Sequence, residues 1–352
     1  MVSSEKEAGA PVVRFTSIAL SGLLAACLEM APGPATAAHV CERIPQSPPS
    51  YASRIAAVAC AENSLWYSPF IDAQGRLASM SVSETERVRL QDGTTLAWQR
   101  VAEYWKGSGL LAQMSYFPGA SDCSYGETGH LPAASCRAFL TDTPWSAAFV
   151  SFVMNRAGLP GFNASASHID FIREAYGNPG SPYAFNDPEA TAPGAGDLLC
   201  FRRNGTPIGS QGLREILASG SADGMNMHCD IVVAASPGEG KLYLVGGNVL
   251  QGVTMRVLPL NRNGMIWGLL RKSSNPGACQ PGNEAACSFN RQDWVALLKL
   301  KPLPAPSGPL PLPGTSPQQQ CCTQCPLPMP ANMKRCPVLE RPVDMQPGSS
   351  GQ

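Results

Sequence analysis

The chain has 352 residues, with 26 Lys and Arg against 26 Asp and Glu, so its formal charge is zero. That balance excludes a nucleic-acid binder that works by neutralising phosphates. A composition of 44% hydrophobic and 15% charged residues excludes a wholly disordered chain. Thirty-three prolines and thirteen cysteines are the compositional outliers, and both are unevenly placed.

Arg14 precedes an apolar run of twelve residues, Phe15 to Ala26. That is short of the ~20 residues a membrane-spanning helix needs and suits the apolar part of a signal peptide. The run ends in Leu24-Ala25-Ala26-Cys27, which resembles the lipobox of bacterial lipoproteins. The resemblance implies lipidation at Cys27 and a lipid-anchored place in the cell envelope or periplasm. Cleavage after Ala35-Thr36-Ala37 is the alternative and would release a soluble periplasmic or secreted protein. A third reading keeps the run as an uncleaved buried helix. Without Cys27 twelve cysteines remain, eight at 41, 60, 123, 136, 200, 229, 279 and 287 and four at 321, 322, 325 and 336. An even set in an exported protein reads as disulfides, with Cys123–Cys136 and Cys279–Cys287 expected as local pairs. Only Cys322-x-x-Cys325 has metal-ligand spacing, and no second pair or nearby histidine completes a zinc site. No metal and no cofactor are expected.

Residues 28–49, rich in Ala and Pro, read as a tether. Ile55, Val58, Ala59 and Glu62 follow helical spacing, and Leu96 to Trp105 is a second amphipathic helix. The stretch from Tyr116 to Arg137 reads as a loop. Thr143-Pro144-Trp145-Ser146 reads as a helix start, with the apolar helix running from Ala147 to Ala157 and ending at Gly158. A helix over Ser167–Tyr176 puts His168, Phe171, Ile172 and Ala175 on one face. Asp197–Phe201, Cys229–Val233, Lys241–Val245 and Val253–Leu258 read as short strands, and Trp294–Leu300 as a closing helix. Helices first and strands afterwards predict one α+β domain over residues 50–301, with the helices followed by a small antiparallel sheet. Residues 302–352 hold thirteen prolines and two acids and read as a disordered Pro/Cys-rich tail.

Three segments carry the chemistry: Pro144–Val150, His228–Val233 and Val245–Asn248. A hydroxyl at a helix N-terminus sits where backbone N–H groups and the dipole favour negative charge. A histidine opening a strand can reach that helix end, and a polar residue on the next strand can hold its tautomer. This is the nucleophile, base and orienter logic of acyl transfer. In order and flanking residues the set resembles the CHAP and NlpC-type amidohydrolases, papain-like enzymes that cut cell-wall peptides. The resemblance implies a papain-like fold with Ser146 at the nucleophile position, His228 as base and Asn248 as orienter. Gly196 to Phe201 resembles the strand before their histidine strand. Closer still, Ser167-His-Ile-Asp-Phe171, the His228 strand and Gly246-Gly-Asn-Val249 make residues 52–300 similar to an uncharacterised bacterial family, domain of unknown function twenty-two seventy-two.

Ser146 stands where those hydrolases carry Cys, and a serine depends on a general base and an oxyanion hole rather than on a thiolate. The expectation is therefore an exported envelope protein that is a serine-dependent amidase or peptidase on peptidoglycan or peptides. The alternative is a non-catalytic envelope- or peptidoglycan-binding module on the same scaffold. Trp145, His168, Asp197 and Asp230 are expected to support the groove. His168 reads as a buried, hydrogen-bonded core histidine, with a catalytic base as the lesser alternative, and Asp230 either orients the His228 imidazole or pairs with an arginine such as Arg256. Cys200 and Cys229 as nucleophiles are the lesser alternative, because an oxidising compartment pairs them. Nucleic acid is not an expected partner, and the membrane enters only through the lipid anchor.

Overall fold

The computed structural model describes residues 39–45, 48–84, 88–124, 130–272, 277 and 279–308, and the short strands 321–322 and 334–335. The expected signal segment with Cys27 and most of the expected tail lie outside the described residues. No helix among the described residues is long and apolar enough to cross a membrane.

The domain is mixed α+β. Six α-helices are described: α1 (Tyr51–Leu65), α2 (Ala97–Gly107), α3 (His130–Asp142), α4 (Ser146–Ala157), α5 (His168–Gly177) and α6 (Gly209–Ala218). The main sheet has eight strands: β1 (Phe70–Ile71), β2 (Leu77–Ser79), β3 (Tyr183–Asn186), β4 (Leu198–Arg202), β5 (Met227–Ser236), β6 (Lys241–Val249), β7 (Gly252–Pro259) and β8 (Asp293–Leu300). Their order is β2-β1-β7-β6-β5-β4-β8-β3, antiparallel throughout except for β1 beside β7.

Both faces of the central strands are covered. Cys200, Cys229, Ile231, Val233, Val245 and Val295 join the large core beneath the helices, while Leu199, Phe201, Val232, Leu244 and Leu297 form a second core on the opposite face. This double burial explains why the strands read as nearly unbroken apolar runs instead of alternating ones. It also corrects the expectation of a closing helix. Residues 293–300 form β8, which pairs with β4 and β3 and divides its side chains between the two cores. A short apolar run does not distinguish a buried strand from a buried helix by periodicity.

Two loop expectations are also corrected. The Ala-rich end of the 116–137 stretch belongs to α3, and Cys123–Cys136 ties that helix to the short turn Ser121–Ser124. Within the supposed tether, Val40–Arg43 form a turn of 3₁₀ helix bound to α1 by Cys41–Cys60, and Arg43 pairs with Glu239. Four disulfides are described in all, including the expected Cys123–Cys136 and Cys279–Cys287. At the other end the chain continues along the domain past residue 301, and the Arg54 guanidinium bonds the Gly308 carbonyl.

The element that positions the site is α4. Ten of its twelve residues are buried, packed on α1, α2, β5 and β6. Beneath its first turn lies a stack of aromatics. Trp145 faces Trp66 and Tyr104 at ring separations of 6.0 and 5.4 Å, and Tyr104 meets Phe149 edge-on at 5.2 Å. Each fully buried ring of this kind contributes roughly 1.5–3 kcal/mol. The polar ends are satisfied: Trp66 Nε1 donates to Tyr104 Oη (2.8 Å), Tyr104 donates to Glu62 (2.8 Å), and Trp145 Nε1 donates to Glu84. Burial outweighs that last bond and raises the Glu84 carboxyl above its usual range.

Candidate active site

Two helices begin at the site. Ser146 is the first residue of α4 and His168 the first residue of α5. The helix opens two residues later than the Pro144 start that the sequence suggests, with Trp145 at the N-cap. The N-cap Trp145 makes no side-chain cap hydrogen bond, and among the described residues no side chain caps the first turn of α4. His168 is held in place from α4 itself. Ser151 Oγ, inside α4, donates to the Ser165 carbonyl (3.0 Å) and accepts from its amide (3.1 Å). Ser165 Oγ in turn meets Asp170 Oδ2 at 2.5 Å and accepts from the Ser167 amide at 3.0 Å, which fixes the start of α5.

The result is a direct contact: Ser146 Oγ and His168 Nε2 lie 2.8 Å apart, with both residues only 4% exposed. His168 Nδ1 is buried without a hydrogen-bond partner among the described residues. Burial, followed by the neighbouring His228 and Arg203, pushes the His168 pKa well below that of a free histidine. The ring is therefore neutral at physiological pH and has a lone pair to offer.

His228, near the start of β5, is placed against His168 with ring centroids 5.0 Å apart, but both of its nitrogens are engaged. Arg203 lies 2.8 Å from Nδ1, and Asp230 Oδ1 lies 2.8 Å from Nε2. A guanidinium can only donate, so Nδ1 is the acceptor and the proton sits on Nε2, facing Asp230. His228 is thereby fixed as a neutral tautomer whose lone pair is already used. Burial, the largest influence, lowers its pKa despite the adjacent carboxylate. The contact with the Ser146 hydroxyl belongs to His168 instead.

Asp230 serves both partners that its strand position allows. One oxygen accepts from His228 and the other from Arg256 Nε at 2.9 Å. Burial alone would raise this carboxyl, but His228 and Arg256 outweigh it and hold it far below the carboxylate range. Arg256 is completed by the Phe289 carbonyl (2.6 Å) and Asn290 Oδ1 (3.0 Å).

The Gly246-Gly247-Asn248 turn acts through its glycines. A Cβ on Gly246 would stand 2.0 Å from Asp230 Oδ1, and one on Gly247 would stand 2.4 Å from the Phe149 ring. Asn248 takes a left-handed φ of 54° and makes no side-chain hydrogen bond to either histidine. Asp197 points its bonds elsewhere, to the Gly194 and Leu300 amides and Lys299 Nζ, and so braces β4 against β8. Cys200 and Cys229 stand opposite one another on β4 and β5 and are joined as a disulfide. Arg203 is the site residue that sequence reasoning missed. It lies just past β4 and follows Arg202, which turns to the Thr206 carbonyl, and no local pattern separates the two.

Residues 92–300, more than half of the chain, match the model of a bacterial family described as an uncharacterized protein conserved in bacteria, domain of unknown function 2272. The chain belongs to that family. No curated protein and no solved structure matches it significantly.

Proposed function

We propose that the protein is a serine-dependent amidase or peptidase of the bacterial cell envelope, acting on peptidoglycan or peptides through a Ser146–His168 dyad. The observation that carries this reading is the 2.8 Å contact between a hydroxyl at an uncapped helix start and an imidazole kept neutral by burial. With the ring proton on Nδ1, His168 Nε2 takes the hydroxyl proton as Ser146 Oγ attacks the substrate carbonyl. The oxygen of the tetrahedral intermediate is received by N–H groups of the first turn of α4, which the N-cap Trp145 leaves without a side-chain cap. His168 then returns the proton to the leaving amine, and water repeats the cycle on the acyl-enzyme. A helix start packed on an antiparallel sheet supports a papain-like placement of the nucleophile, and the paired cysteines support an exported, oxidising environment.

A non-catalytic module is favoured by one observation, the near-complete burial of Ser146, His168, His228 and Asp230, which suits a structural network that leaves binding to other residues of the scaffold. Turnover separates the two. The purified protein should release soluble products from peptidoglycan or hydrolyse activated peptide esters, and Ser146→Ala and His168→Ala should each abolish this. Activity that survives in folded Ser146→Ala, or no activity on any of these substrates, would favour the binding module.

A further inference from the structure

We infer that Arg203 is a specificity residue that binds a carboxylate of the substrate, so that the site takes acidic peptides; this rests on the hydrolase reading above. The charges of the cluster do not balance. Arg203 and Arg256 bring two positive charges, Asp230 brings one negative charge, and both histidines are held neutral. Arg256 is paired directly with Asp230, whereas among the described residues the Arg203 guanidinium bonds the uncharged Nδ1 of His228 and feels Asp230 only at longer range. Among the described residues no carboxylate lies within ion-pair distance of Arg203. Lys272 adds a second cation there. Its Nζ donates to the Arg203 carbonyl at 2.9 Å and has no carboxylate partner among the described residues.

A half-buried cation without an ion-pair partner among the described residues is expensive to maintain, and burial depresses the Arg203 pKa despite the opposing field of Asp230. One of its five N–H donors is given to His228, and the remaining face of the planar fork matches the two oxygens of a carboxylate. His228 places this fork next to the base, because its ring touches both the Arg203 guanidinium and the His168 ring. A substrate held by Arg203 therefore carries its carboxylate close to the bond presented to Ser146.

The test uses the full chain and two matched pairs of probes. One pair is N-acetyl-Ala-Glu-Ala amide and its Gln counterpart. The other is N-acetyl-Ala-Ala-Ala with a free C-terminal carboxylate and with a C-terminal amide. Affinities are measured by calorimetry in the wild type and in Ser146→Ala, so that binding is read apart from turnover. In at least one pair the carboxylate form should bind tenfold or more tightly. Arg203→Gln should reduce that ratio to below twofold, and Arg203→Lys should retain part of it. If Arg203→Gln loses its melting transition, Arg203→Lys carries the test, and its ratio should fall at least threefold. Equal affinities within both pairs, or a preference unchanged by substitution at Arg203, would overturn the inference. A clear preference in a protein whose Ser146 is inert would instead refute the hydrolase reading and leave the carboxylate site standing.

Discussion

Asp230 is the point at which the buried polar network is most exposed to a small change. Asp230→Asn keeps the shape of the side chain but removes the only carboxylate that accepts from both His228 Nε2 and Arg256 Nε. The residues involved are 1% and 3% exposed, so water cannot replace the lost charge. The asparagine amide must also turn an N–H toward one of two groups that themselves donate. Leaving a buried arginine without its counter-charge costs about 3–5 kcal/mol. In a domain of this size each kcal/mol moves the midpoint of thermal unfolding by about 2–4 °C, so a fall of roughly 6–20 °C is expected. Circular-dichroism melts with the disulfides intact would measure it, and urea unfolding would give the free energy directly. The double variant Asp230→Asn with Arg256→Met should be less destabilised than the sum of the two single changes, by about 0.5–3 kcal/mol. A loss below about 1 kcal/mol for Asp230→Asn, or strict additivity in the cycle, would show that the buried Asp230–Arg256 pair contributes little to stability.

Acid should destabilise the fold in two stages. His168 and His228 have folded pKa values below the unfolded one, so the unfolded chain binds more protons as pH drops below about 6.5 and stability falls by up to ~1.4 kcal/mol per pH unit for each histidine. Asp230, whose folded value is also depressed, adds a further loss below about pH 3.9, and urea titrations at stepped pH would resolve both stages. Gly246→Ala forces a methyl onto Asp230 Oδ1 and should cost about 1–3 kcal/mol, while alanine at the open Gly238 position should cost little; equal melts of the two would contradict the close approach. Replacing Cys41 and Cys60 by serine opens a link 19 residues long and should lower stability by about 3 kcal/mol, measurable as a shift in the urea midpoint.

The sequence made α4 and its end, the α5 helix and strands β4 to β7 legible because each has a local signature: a Gly stop, amphipathic spacing, or apolar runs between turn residues. Ser146, His168, His228 and Asp230 were all singled out from it, and the structure brings these four together. What could not be read was which histidine meets the serine. That depends on Arg203 occupying the His228 lone pair and on Ser151 pinning the Ser165 turn, contacts made across 25 and 14 residues. Trp294–Leu300 reads as a helix but belongs to β8, because burial on both faces erases the alternation of a strand. The Gly-Gly-Asn turn suggested a polar third member at Asn248, whereas its geometry is set by the space that Asp230 and Phe149 need at the two glycines.

The central claim is that Ser146 is activated, and that His168 rather than His228 activates it. Labelling of the intact protein by a fluorophosphonate, with the modified residue located by peptide mass mapping, tests this without knowledge of the substrate. Ser146 should be the residue labelled, and His168→Ala should slow the reaction on the order of a hundredfold. His228→Gln, compared at equal folded fraction, should slow it far less. An unlabelled Ser146 in folded protein, or a reaction that depends on His228 and ignores His168, would contradict the account.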